Sequence, residues 1–154
     1  MNYAAVRLVL LLPCKVLLLV FSLAAMAQEA TSDEQHYVAD IELQTVDEFR
    51  QLLERAEQLL LEGAVSQGDT AEVTFVLHGP VVKNLLRQNY LANKKTVDLA
   101  ASLSAMGVIE VKACRTWMGG HGVDEEDLQP FVETVAYGPA EVQRLAKEKN
   151  YIYF

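Results

Sequence analysis

The chain is short of bases relative to its acids and short of cysteine, and both shortages are unevenly placed. Thirteen Lys and Arg residues stand against 21 Asp and Glu in 154 residues, a formal net charge of −8. Two of those bases, Arg7 and Lys15, precede Ala27, and no acid does. The part beyond Ala27 is therefore more acidic than the whole, and a surface of that sign repels phosphate backbones, which argues against a nucleic-acid binder. Cysteine occurs only at Cys14 and Cys114. The sequence also lacks a phosphate loop, a Gly-x-Gly-x-x-Gly dinucleotide fingerprint and a Gly-x-Ser-x-Gly nucleophile elbow, so nothing in it indicates the chemistries those motifs carry. No internal repeat is present.

What is there begins with an apolar front. Residues Met1 to Ala27 contain five residues outside the apolar set, namely Asn2, Arg7, Pro13, Lys15 and Ser22. This front accounts for the slightly positive mean hydropathy of +0.12 and leaves the remainder with roughly 45% apolar residues, an ordinary globular share. Arg7 and the amino terminus supply positive charge, an apolar run follows from Val16 to Ala25, and Ala25-Met26-Ala27 offers small residues before Gln28. That pattern predicts a cleaved secretory signal over residues 1–27 and a periplasmic or otherwise exported protein. The alternative is an uncleaved membrane anchor, because Leu8 to Ala27 approaches the length of a span, with Lys15 as a costly interruption. Pro13 before Cys14, and the apolar run after it, argue against lipidation there. Cleavage would leave Cys114 alone, so no disulfide could form within one chain. An inert buried thiol, an intermolecular bridge and a reactive thiol remain open.

Residues 28–35 are polar and acidic and read as a linker. Residues 36–154 are enough for one domain with its own core and leave little room for a second. Tyr37, Ala39, Ile41 and Leu43 alternate as in a strand, and Thr45-Val-Asp-Glu48 has the form of a capping box opening a helix whose apolar residues run from Val46 to Leu60 at spacings of three and four. Ala71 to His78 reads as a buried strand. Gly79-Pro80 breaks it and starts a helical face through to about Tyr90. Asn93 caps a further helix ending at Gly107. Val108 to Cys114 is a third strand, Gly119 to Gly122 a loop, Asp124 to Asp127 a solvated helix start, Val132 to Ala136 a fourth strand, and Gly138-Pro139 opens the last helix before a short terminal edge strand. Strands alternating with helices predict an α/β fold with a mainly parallel sheet of about five strands, covered on both faces.

Ligands of such sheets gather at the carboxyl ends of the strands. Two predicted strand ends carry reactive residues: His78, before Gly79-Pro80, and Cys114, before Arg115-Thr116-Trp117. Helix N-termini at that edge, with Arg115 nearby, favour a thiolate, the reactive form. Cys114 is thus the candidate nucleophile or, alternatively, a small buried hydrophobe. His78 is a candidate orienter or base, or a capped strand end. Gly79, Arg115, Thr116, Trp117 and His121 are candidate binding residues, although His121 equally reads as a solvent-facing loop residue and Trp117 as core. The spacing of His78, Cys114 and His121 matches no zinc pattern, and neither a metal nor a cofactor is expected.

The run VKACRTWMGGHGVDEEDLQPFVETVAYGPAEVQRLAKEKNYIYF, with FVLHGPVVKNLL upstream, resembles the DsrE/DsrF-like sulfur-relay family. The shared features are the strand-terminal Cys114, the run Glu126 to Leu128, and the helix start Gly138-x-x-Glu141 followed by Leu145. The resemblance spans residues 37–154. It implies a three-layer α/β/α sandwich, assembly into homo-trimers or hexamers, and Cys114 as a persulfide carrier exchanging sulfur with donor and acceptor proteins or small sulfur species. Members often have threonine three residues after the cysteine; this chain has Trp117 there and Thr116 one place earlier. The alternative function is a non-enzymatic oligomeric module that binds a small ligand or a partner, with Cys114 structural.

Overall fold

The structure, a computed structural model, describes residues 35–154. The signal expected over residues 1–27 and all but the last residue of the linker lie outside the described residues. Among the described residues no helix is long and apolar enough to cross a membrane.

The first strand, β1 (Tyr37–Ile41), leads into α1 (Val46–Leu61). The capping box forms: the Thr45 hydroxyl accepts the Glu48 N–H, and the Glu48 carboxylate accepts the Thr45 N–H at 3.0 Å. β2 (Val73–Leu77) is buried along its whole length and passes through turns to α2 (Lys94–Ala105) and β3 (Ile109–Cys114). Then come α3 (Arg115–Gly120), β4 (Val132–Val135), α4 (Gly138–Glu148) and β5 (Ile152–Tyr153). Gly107, between α2 and β3, has φ +67°, and a Cβ there would lie 1.8 Å from the Gly68 carbonyl oxygen. Only glycine fits that turn.

All strand pairs are parallel, in the order β4-β3-β2-β1-β5. The chain steps from β1 to β4 in one direction, and right-handed crossovers place the helices of that path on one face. The return from β4 past β1 to β5 reverses direction and puts α4 on the other. Burial follows this logic. Phe49 and Leu53 of α1 and Val97 and Leu103 of α2 join Ala39, Ile41, Phe75 and Leu77 in the main core. Val142 and Leu145 of α4 meet Val38 and Val76 on the opposite face. The α/β class and the three-layer sandwich with five strands are as the sequence predicts.

Two local expectations are corrected. The helical face expected through to Tyr90 is a pair of 3-10 segments, Pro80–Leu85 and Arg87–Asn89. Leu86 between them is extended because it bridges to Leu128, an interaction that no local propensity announces. The glycine run expected as a loop is helical through Gly120. Met118 is buried in the core and its carbonyl accepts the N–H groups of His121 and Val123, so tertiary anchoring and closing bonds outweigh the low helix propensity of Gly119 and Gly120.

Candidate functional site

Side chains alternate across a strand. On β1, β2 and β3 the residues Ala39 and Ile41, Phe75 and Leu77, and Val111 and Ala113 point into the main core. Asp40, His78 and Cys114 therefore share the α4 side at the carboxyl end of three adjacent strands. The same edge holds the topological switch point. The chain leaving β3 enters α3, which anchors in the α1 and α2 layer through Met118, whereas the chain leaving β4 enters α4 on the opposite face. The divergence of those two connections makes the crevice where open parallel sheets place ligands, and Cys114 lies at its floor.

The crevice is closed in this conformation. Cys114 is 2% exposed. The Gly138 N–H, at the first residue of α4, donates to Cys114 Sγ at 3.2 Å. A Cβ on Gly138 would come within 3.1 Å of His78 Cβ and 3.4 Å of Cys114 Cβ, so the glycine lets the start of α4 settle onto both side chains. Thr116 holds the cover in place: its N–H and its hydroxyl both donate to the Ala136 carbonyl, at 3.3 and 2.8 Å.

His78 lies under the same glycine as Cys114, but its Nε2 hydrogen-bonds the Asp40 carboxylate. The ring atom nearest the Gly138 position is Cδ2 rather than a nitrogen. Asp40 is the residue that sequence reasoning missed. It stands opposite Val76 in the parallel register and reaches diagonally to His78, a neighbour visible only once β1 and β2 are aligned; its place on the non-core side of the β1 alternation was the available signal.

The remaining candidates disperse. Gly79 serves packing: a Cβ there would lie 3.1 Å from the Glu42 carbonyl carbon and 3.3 Å from the Leu43 oxygen. Arg115 was expected to assist the thiol, but its exposed guanidinium pairs with Glu125 at 3.6 Å. The His121 ring stacks on Trp117 with centroids 4.0 Å apart, and its Nδ1–H donates to the Trp117 carbonyl at 2.7 Å. That stack is tied to α3 itself, and Trp117 packs partly against the core. Among the described residues no group of three or more His, Cys, Asp or Glu is gathered closely enough to hold a metal ion.

Beneath this row the α4 side of the sheet carries charges. Lys112 reaches Glu110 at 3.0 Å and Glu141 at 3.3 Å, and Arg144 donates twice to Glu141 at 2.8 Å. Burial alone would push the Lys112 ammonium down, but the two carboxylates more than offset this and hold it above its ordinary value. Arg144 first, then Lys112, hold Glu141 below the usual carboxylate range against the opposing effect of burial. A cleft of about 510 Å³ opens at the other end of the strands, between Gly107, Phe131 and Tyr151, away from Cys114. A row of carboxylate, imidazole and thiol at strand ends, with an N–H on the sulfur, suits displacement at sulfur.

The sequence matches no protein-family profile and no curated protein. A solved structure similar to it is that of a protein of unknown function, MTH1491 from Methanobacterium thermoautotrophicum, at 18% identity and a TM-score of 0.61, covering 78% of this chain and 97% of that one. At that identity the likeness shows a shared fold and nothing of activity.

Proposed function

We propose that the protein binds and transfers sulfur, with Cys114 as a persulfide carrier, as the resemblance to the DsrE/DsrF-like family implies. The observation that supports this most directly is the placement of Cys114 Sγ at the β3/β4 switch point, bonded to the first N–H of α4 and flanked by the Asp40–His78 pair. In the step proposed, the Cys114 thiolate attacks the outer sulfur of a donor persulfide R–S–SH. The new Sγ–S bond forms as the donor S–S bond breaks, and the electron pair leaves with R–S⁻. The proton released by Cys114 passes to the leaving thiolate, with His78 as the available relay once its ring turns from Asp40. No net oxidation occurs, and an acceptor thiolate reverses the exchange. On this reading the chain works as an exported homo-oligomer with protein or small-molecule sulfur partners.

The near-complete burial of Cys114 favours a second reading, a binding module in which the thiol is structural. Incubating the full chain with inorganic polysulfide and weighing the intact protein separates the two. Gain of a sulfur atom by the wild type, absent from Cys114→Ser, supports the carrier. No gain, or an equal gain in both, overturns it, and resistance of native Cys114 to alkylation then supports the structural reading.

A further inference from the structure

The imidazole at the end of β2 can take two ring orientations, and Asp40 decides which one is held. The His78 backbone is fixed, because its N–H donates to the Ile41 carbonyl at 3.0 Å and prolongs the β1–β2 ladder. Motion of the imidazole is therefore side-chain rotation, and its last torsion has two broad wells about a half-turn apart. In the orientation observed, Nε2 meets the Asp40 carboxylate. A carboxylate only accepts, so Nε2 carries the hydrogen and, in the neutral ring, Nδ1 carries the lone pair.

The geometry at Gly138 shows which edge of the ring faces the thiol. A Cβ on Gly138 would meet His78 Cβ at 3.1 Å, and Cys114 Cβ and His78 Cδ2 at 3.4 Å each. The Cδ2 edge thus faces the start of α4, whose first N–H is bonded to Cys114 Sγ. Nδ1 lies on the other side of the Cβ–Cγ axis. A half-turn about that bond exchanges Nδ1 with Cδ2 and Nε2 with Cε1. It brings the unprotonated nitrogen to the edge that faces Gly138, and it leaves a C–H where Asp40 had its donor. The two contacts exclude one another. The His78 side chain is 15% exposed and that of Asp40 44%, so the restraint can be reached from solvent while the base stays covered.

We propose that Asp40 is a positioning residue that restrains Cys114: while its carboxylate holds His78 Nε2, the thiol keeps its proton, and release of that bond lets Nδ1 turn toward Sγ. The proton then passes from Sγ to Nδ1 and leaves a thiolate beside an imidazolium, with no electron transferred. A hydrogen bond to a carboxylate is of the stronger kind, which favours the restrained state at rest and keeps a lone thiol from oxidising. The restraint rests on the carrier reading, in which Cys114 acts as a thiolate, and adds how that form is controlled. Of the titratable groups at the ring, Asp40 faces it from β1 and Cys114 stands beside it on β3. The start of α4 presents the uncharged Gly138, and Arg115 at the start of α3 is taken up by Glu125.

The test measures the rate of iodoacetamide alkylation of native Cys114 in the full chain from acid to alkaline pH. Asp40→Ala is expected to react about tenfold faster near neutrality, the size of a lost hydrogen bond to a charged group. The midpoint of its profile then lies about one pH unit below that of wild type. Asp40→Asn, which keeps the shape and an acceptor without the charge, moves both in the same direction by less. Combining Asp40→Ala with His78→Gln returns the midpoint to that of wild type. Mere loosening of the strand ends would speed alkylation at every pH without moving the midpoint. An unmoved midpoint in both Asp40 variants, or a shift that survives the loss of His78, overturns the proposal. Polysulfide labelling separates it from the carrier reading. Sulfur gained by wild type with an unmoved midpoint overturns the restraint alone. A moved midpoint with no sulfur gained supports the restraint and overturns the carrier.

Discussion

One sheet carries two unlike faces. Toward α1 and α2 its three central strands present apolar residues, with Phe75 packed edge to face between Phe49 and Phe154 at centroid distances of 6.0 and 5.5 Å. Toward α4 only Val38, Val76, Val142 and Leu145 form a dry cluster. Around that cluster stand Asp40, Thr74, His78, Glu110, Lys112 and Cys114. The difference separates two tasks. The first face supplies close-packed apolar burial, the dominant favourable contribution to folding. The second accepts a smaller dry area in exchange for a connected polar layer, which holds α4 in a defined position over the thiol.

The largest expected effect lies on the apolar face. Phe75→Ala removes a fully buried ring shared by two aromatic neighbours, and urea denaturation is expected to show a loss of about 3–5 kcal/mol. A loss of about 2 kcal/mol, the size expected for a lost partner on the polar face, would mean that the two faces contribute alike. Next comes Lys112→Met on the polar face, which leaves Glu110 and Glu141 facing each other without their shared cation. Because Glu110 is partly exposed, the expected loss is about 2 kcal/mol, below that of a fully buried pair. This loss depends on pH. Glu141 is held below its ordinary value of 4.5, so its contribution is complete above that pH and fades as pH falls through the lower folded value. Lys112 is held above 10.5, so its contribution is complete below that pH and fades as pH rises through the higher folded value. The Lys112→Met penalty is thus expected to be flat near neutrality and to shrink in acid, while the Phe75→Ala penalty is independent of pH. Stability curves at pH 7 and pH 3.5 check both.

The apolar face was the legible one. The Tyr37, Ala39 and Ile41 alternation, the Thr45–Glu48 box and the Gly107 stop are local patterns that formed as read, although the strand ends at Ile41, short of Leu43. Cys114 and His78 were legible as strand ends because Gly79-Pro80 and the glycine run mark those ends in sequence. What the sequence concealed depends on register or on distant packing. Asp40 meets His78 only through parallel pairing across 38 residues. Lys112 meets Glu141 only after α4 returns over the sheet. Arg115 looked available to the thiol from its adjacency, yet consecutive residues leave a strand end in different directions, and its guanidinium found Glu125 instead. The diversion at Leu86 likewise answers to Leu128, 42 positions away in the chain.

The cover over Cys114 offers a smaller test of the polar face. Gly138→Ala adds a methyl group within 3.1 Å of His78 Cβ, an overpacking expected to cost about 1 kcal/mol. Its sharper readout is chemical. Lifting the start of α4 opens the crevice, so native Cys114 is expected to react with iodoacetamide several-fold faster than in wild type. An unchanged rate would show that the thiol is guarded by something other than this contact.

The smallest effect is expected at Thr74, 1% exposed in the central strand, whose hydroxyl donates to Glu110 at 3.3 Å. Thr74→Val keeps the shape and the β-branched character, and Glu110 retains Lys112, so no carboxylate is orphaned. The hydrogen bond is long and its acceptor partly exposed, which limits the loss to about 0–1 kcal/mol. The direction carries the information. If the polar layer contributes to stability, Thr74→Val destabilises slightly, and combining it with Lys112→Met costs more than the sum, because the double variant strips Glu110 of both partners. If the layer serves only to position α4, Thr74→Val is neutral or slightly stabilising, as apolar replacement of buried polar groups often is.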